Sequence, residues 1–155
     1  MKDEEKRVAL VGGGVGIFPL ISAIRAYAGK KEVYSYMGFR NRAAYCLPYE
    51  LQRSDRLVVA TDDGSMGFHG TSVQAFMAEI DDVKPDVVLS CGPAPMLRAL
   101  KKATAGRNIP TFVSLEERMG CGIGACLVCV CEKTDGAHAR VCKDGPVFDI
   151  NEVNL

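Results

Sequence analysis

The chain has 155 residues, 48% of them hydrophobic, which suits one compact domain with at most a small appendage. Lysine plus arginine equals aspartate plus glutamate at 19 each, so net charge gives no electrostatic case for nucleic acid or an anionic membrane surface. No apolar run approaches the roughly 18 residues a membrane span needs, and the charged start Met1-Lys-Asp-Glu-Glu-Lys-Arg7 has no signal-peptide apolar region, so a soluble cytoplasmic protein is expected.

Arg7-Val-Ala-Leu-Val11 reads as a buried strand, followed by the turn Gly12-Gly-Gly-Val-Gly16 and a helical pattern through Leu20, Ile21, Ile24 and Tyr27. Gly29 ends that helix as a C-terminal glycine does. Glu32–Met37 is a second strand ending at Gly38-Phe-Arg40, Arg42 to Leu51 a short helix or irregular segment, and Asp55–Thr61 a third strand. The polar, glycine-rich stretch Asp62–Gly70 reads as a long loop. A helix through Val73, Phe76, Met77 and Ile80 precedes a fourth strand, Pro85–Ser90, then Cys91-Gly-Pro93. A helix through Met96, Leu97 and Leu100 leads to a fifth strand, Pro110–Ser114. Strands alternating with helices predict an α/β fold, a doubly wound parallel sheet of five strands. After Ser114 the texture changes: Val130–Lys133 and His138–Cys142 look like two strands joined at Asp135-Gly136, a hairpin signal. The expected division is an α/β domain over residues 1–114 and a cysteine-rich module over 115–155.

Five of the seven cysteines lie between Cys121 and Cys142. Their spacing, Cys121-x4-Cys126-x2-Cys129 and then a distant Cys142, is the plant-type [2Fe–2S] pattern. Four thiolates suit two tetrahedral irons, with three on one tight loop. Gly120, Gly122 and Gly124 let backbone N–H groups turn toward the sulfurs. Structural zinc is a rival, although its usual ligands come as two C-x2–4-C pairs. Disulfides are disfavoured by the odd count and the missing export signal. Cys131 shares a strand face with Cys129 and competes in principle as a ligand.

The turn Gly12–Gly16 sits between strand and helix, where backbone N–H groups and the helix dipole favour a phosphate. It is not G-x-G-x-x-G, because Ile17 or Pro19 stands where the third glycine belongs. A nucleotide site and a packing turn both remain open. In open α/β sheets ligands gather at the carboxyl ends of the strands. That places Gly12, Gly13, Gly14 and Gly16, Arg40 for a phosphate, Asp62 and Asp63 for ribose hydroxyls, and Cys91 with Gly92 in one region. The alternatives are a solvated arginine, turn-capping aspartates and a packed thiol.

The motifs Val11-Gly-Gly-Gly-Val-Gly-Ile-Phe-Pro-Leu20, Gly38-Phe-Arg40, Ala60–Gly70, Cys91-Gly-Pro-Ala-Pro-Met96, Ser114–Cys126 and Cys142-Lys-Asp-Gly-Pro-Val-Phe148 resemble those of the electron-transfer subunits of type B dihydroorotate dehydrogenase, in the ferredoxin–NADP reductase superfamily. The resemblance covers nearly the whole chain. It implies an oxidoreductase complex in which NADH gives hydride to FAD, the flavin passes single electrons to a [2Fe–2S] cluster, and these reach FMN in a partner catalytic subunit that oxidises dihydroorotate in pyrimidine biosynthesis. By motif, Gly13, Gly14 and Gly16 face the pyridine nucleotide, and Cys91 and Gly92 lie near the nicotinamide, making Cys91 the candidate catalytic residue. Cys121, Cys126, Cys129 and Cys142 are the implied cluster ligands.

The family carries an N-terminal β-barrel that supplies most of the FAD site, whereas Met1 here stands just before the first sheet strand. A fragment or a shortened natural protein is therefore expected, with FAD binding not carried by this chain alone. Phe18, Val128 and Cys131 also depart from the family pattern. Two other readings stay in play: a related reductase subunit serving another redox partner, and a non-enzymatic iron–sulfur carrier or adaptor. A cluster that hands on electrons sits near an edge, so Ile123, Leu127 and Val128 are expected to be exposed apolar contacts.

Overall fold

The computed structural model describes residues 5–155; Met1 to Glu4 of the charged N-terminal stretch lie outside them. Strand β1 (Arg7–Gly13) is the centre of the sheet, and Val8 to Val11 are fully buried on both its faces. Helix α1 (Ile17–Tyr27) follows a single 3-10 turn, Gly14–Gly16. Strand β2 (Glu32–Phe39), the short helix α2 (Pro48–Leu51), strand β3 (Arg56–Thr61) and the two-residue strand β4 (Phe68–His69) come next. Helix α3 (Ser72–Val83) starts with a capping box in which Thr71 and Gln74 satisfy each other's backbone N–H groups. Strand β5 (Val87–Cys91), helix α4 (Ala94–Thr104) and strand β6 (Thr111–Ser114) complete the alternation.

The sheet order is β4-β3-β2-β1-β5-β6-β9, where β9 is Val147–Asp149. The five expected parallel strands form its middle, and a short strand extends each edge to give seven. β4 lies within the stretch expected to be a loop. The Thr61 hydroxyl donates to the Met66 carbonyl and accepts from the Met66 N–H, folding the intervening turn so that Phe68 and His69 run beside Ala60 and Thr61. β9 pairs antiparallel with β6, Ser114 opposite Val147. The apolar side chains of α1 and α2 pack on one face with Val8, Leu10, Val33 and Val87. Those of α3 and α4 pack on the other with Ala9, Val11, Tyr36 and Val88. β1 turns outward to β2 on one side and meets β5 on the other, so the topological switch point lies at its carboxyl end.

Beyond Ser114 the hairpin forms as expected from β7 (Val130–Glu132) and β8 (His138–Arg140), with Asp135 accepting from the Ala137 N–H at the turn. The second strand is shorter than its apolar pattern suggests. It ends at Arg140, and Cys142 rides on a single helical turn, α5 (Val141–Asp144). The cause is local: the Asp144 carboxylate reaches back to accept from the Arg140 N–H at 2.8 Å. Cys129, Cys131, Ala139, Val141, Phe148, Ile150 and Val153 share one apolar cluster with Leu97 and Val113 of the α4 face. The last residues lace the hairpin to the sheet: the Thr134 N–H donates to the Glu152 carbonyl, the Asn154 N–H to the Glu132 carbonyl, and the Lys101 ammonium to the Val153 carbonyl. Among the described residues no helix is long and apolar enough to cross a membrane.

Candidate functional site

The loop between β6 and β7 carries Cys121 and Cys126, and both are exposed. Cys129 is buried at the foot of β7, and the half-buried Cys142 sits on α5. Backbone donors surround the first two sulfurs. The Ala125 and Cys126 N–H groups donate to the Cys121 Sγ at 3.2 and 3.4 Å, and the Cys121 N–H donates to the Cys126 Sγ at 3.4 Å. The N–H of Ile123, then those of Cys126 and Ala125, draw the Cys121 thiol down to a pKa of about 6, so its thiolate, the ligand form, prevails at neutral pH. The Cys142 N–H donates to the Cys129 Sγ at 3.5 Å. The Cys129 thiol, then burial, pushes the Cys142 thiol up.

The thiols thus fall into two neighbouring pairs, Cys121 with Cys126 and Cys129 with Cys142. No three His, Cys, Asp or Glu side chains among the described residues converge as ligands of one ion. Two pairs suit a centre with two irons better than one four-fold cage around zinc. The donor set therefore fits a [2Fe–2S] cluster: four thiols, one of them acidified, and N–H groups aimed at sulfur. Gly124 is needed for its backbone. It is buried with φ +81°, where an L side chain is strained, and an added Cβ would lie 2.6 Å from the Lys143 side chain. Cys131 faces elsewhere, into a cleft of about 370 Å³, and burial raises its thiol above the ordinary value.

That cleft lies at the carboxyl end of β1, bounded by Gly13, Gly16 and Gly92 on one side and Glu116, Glu117 and Cys131 on the other. A second cleft of about 260 Å³ shares Gly13 and gathers Gly14, Gly38, Arg40, Asp62 and Met96. Most residues expected at the strand ends are therefore brought together. Gly12 is buried within β1, opposite Met37 on one side and Cys91 on the other. At Gly16 the helix start lies directly on β5: an added Cβ would overlap the Cys91 carbonyl and sit 2.6 Å from the Gly92 nitrogen. No side chain caps the first turn of α1, and Gly14, at φ +57°, faces open space. Asp63 lines neither cleft. Its carboxylate accepts from the Ser65 hydroxyl and N–H, which closes a turn and holds it below the ordinary carboxylate value. The Cys91 side chain is fully buried, its thiol 4.0 Å from a Glu116 carboxylate oxygen. Burial, then Glu116, pushes that thiol up.

Ile123, Leu127 and Val128 are exposed as expected, at 74%, 64% and 53%, and Met119 joins them. Sequence reasoning passed over Glu116 and Arg140. Nothing local marks Glu116, whereas the spacing of Arg140 and Asp144 was a readable helical ion-pair signal.

Residues 116–154 match the family model of the iron–sulfur cluster binding domain of dihydroorotate dehydrogenase B. The chain is 43% identical over 152 residues to the dihydroorotate dehydrogenase B (NAD(+)) electron transfer subunit of Geobacillus thermodenitrificans, covering 96% of this chain and 58% of that protein. It is 40% identical over 153 residues to the subunit of the same description from Caldanaerobacter subterraneus, covering 97% and 60%. Among solved structures, an NADH-dependent reduced ferredoxin–NADP oxidoreductase matches with a TM-score of 0.80 at 29% identity, over 95% of this chain and 53% of that one. The chain thus spans about three-fifths of the length of the curated relatives it matches. Over that span it is similar to dihydroorotate dehydrogenase B electron transfer subunits, and residues 116–154 match the model of their iron–sulfur cluster binding domain.

Proposed function

We propose that this chain is the nucleotide-binding and cluster-binding part of an NADH-linked electron-transfer subunit, acting in the cytoplasm on a dihydroorotate dehydrogenase catalytic subunit in pyrimidine biosynthesis. The observation that carries the reading is the pair of thiol pairs on a donor-rich loop, one edge of the chain away from a glycine-lined cleft at the sheet's switch point. In this reading residues 1–114 handle the nucleotide and 115–155 hold the cluster. The relatives are longer than this chain, and we assign most FAD contacts to their unmatched part. This chain would meet a flavin at the larger cleft.

The N–H groups of Gly14–Gly16 and the first turn of α1 receive a phosphate, and Arg40 adds positive charge at the rim. Asp62 accepts from ribose hydroxyls, while Asp63 stiffens the turn beside it. Gly16, having no side chain, keeps α1 against Cys91 and Gly92, which border the nicotinamide. Cys91 is the candidate catalytic residue, and Glu116 fixes the direction of its thiol. Cys121, Cys126, Cys129 and Cys142 hold the cluster, which supplies one-electron chemistry when bound. The N–H donors of the loop balance negative charge on sulfur. Ile123, Leu127 and Val128 exclude water where the partner docks.

Anaerobic purification followed by metal analysis, absorption and EPR tests this directly. The expected result is about two irons per chain and a reducible [2Fe–2S] signal. Stoichiometric zinc without iron would sink the cluster assignment. Calorimetric titration with NADH tests the other half: no binding would leave an iron–sulfur carrier without a nucleotide site.

A further inference from the structure

Arg140 stands at the end of β8, two residues before Cys142. Its Nε and Nη2 form a fork on the Asp144 carboxylate at 3.0 and 3.1 Å, and Asp144 also accepts from the Arg140 N–H. The remaining arm, Nη1, crosses to the cysteine loop and donates to the Gly124 carbonyl at 3.2 Å. Lys143 lies against the Gly124 Cα. One buried residue of the loop is therefore held between Arg140 and the segment that bears the fourth thiol.

We propose that Arg140 is a positioning residue for the cluster site: it clamps the loop bearing Cys121 and Cys126 to the segment bearing Cys142, and its charge, set against that of Asp144, tunes the potential of the group held there. The proposal rests on the four thiols being cluster ligands. An Arg fork suits the task because its planar donors reach two acceptors in fixed directions, which a lysine ammonium does not do. The guanidinium also lies within electrostatic reach of the sulfurs. It bonds to the loop between Cys121 and Cys126 and stands two residues from Cys142. About one-third of each side chain of the Arg140–Asp144 pair meets water, so screening is partial. Reduction adds one negative charge to the site. A cation beside it favours the reduced state and an anion favours the oxidised one.

The test is redox titration of the iron-loaded protein followed by EPR, on the wild type and three variants. Arg140→Gln removes the cation and leaves Asp144 unpaired, so the ratio of reduced to oxidised centre at fixed potential falls about tenfold, a shift of ~59 mV downward. Asp144→Asn leaves the cation unopposed and shifts the potential upward. Arg140→Lys keeps the charge and loses the fork: the potential stays near that of the wild type while a chelator strips iron several-fold faster. Opposite signs for Arg140→Gln and Asp144→Asn, with fast stripping in Arg140→Lys, support both roles. Equal potentials in all four proteins, or shifts of the same sign in both neutral variants, overturn the inference with the cluster reading intact. Should Arg140→Gln fail to load, the sign for Asp144→Asn and the stripping rate for Arg140→Lys decide the matter. Absence of a [2Fe–2S] signal in the wild type overturns the cluster reading and the inference together.

Discussion

Glu79 fastens the α3 layer to the sheet. Its carboxylate accepts from the Arg56 guanidinium, Nε at 2.7 Å, and from the Tyr36 hydroxyl at 3.0 Å. Arg56 above all, with Tyr36 assisting against desolvation, holds the Glu79 carboxyl below its ordinary 4.5. A carboxyl depressed in the folded state lends stability above its unfolded pKa, and that stability is lost as pH falls through the folded value. Glu79→Gln is therefore expected to cost about 1 kcal/mol near pH 7, kept small because half of the Arg56 side chain meets solvent. The difference should shrink as pH falls below the ordinary carboxylate range and through the depressed folded value, as urea melts at neutral and acidic pH would show. Gly16 makes a sharper case. Gly16→Ala places a methyl on the Cys91 carbonyl, so α1 must move. The expected outcome is a loss of about 2 kcal/mol in stability and weaker NADH binding by calorimetry. The glycine turn was legible as a turn, because clustered glycines mark the place where a strand gives way to a helix. The carbonyl that Gly16 must avoid was not, since Cys91 arrives from a strand far along the chain.

The regular elements were read well where burial decides them. Val8–Val11 and Val87–Val88 are apolar on both faces, as central parallel strands must be. The short elements escaped. Phe68–His69 has no alternation to detect in two residues, and its pairing depends on the Thr61 hydroxyl folding the loop. Cys142 was expected on a strand, and the Asp144 carboxylate turns the chain into α5 instead. The strand β9 escaped because its pattern competes with the turn signals around Gly145-Pro146. Phe148 is its buried anchor, shared between the sheet edge and the hairpin. Phe148→Ala should cost about 3 kcal/mol in denaturant melts. Because that cluster includes Cys129, the variant should also retain less iron at purification.

The site as a whole was half legible. C-x4-C-x2-C with a distant fourth cysteine announces its chemistry, but sequence spacing cannot show that thiols meet in pairs or that a charged fork holds the loop. Nor did it show that the module shares its apolar core with α4. The exposed side chains Ile123, Leu127 and Val128 were placed correctly, because a loop so crowded with ligands and glycines has no interior to hide them in. Replacing Ile123 and Leu127 with serine should weaken binding to the proposed catalytic-subunit partner at least tenfold in calorimetry, with the cluster spectrum unchanged. The lacing of the last residues has a further consequence. Leu115 bonds to Pro146 as the chain leaves the sheet, β9 returns it beside β6, and Val153 is tied to Lys101. A cargo moored at both ends cannot swing between donor and acceptor as a tethered carrier does. The gap from cleft to cluster is then a constant of the scaffold, and traffic must be metered by what docks at either end. A spin label on Arg98 should report one narrow distance to the reduced centre, the same with NADH as without it.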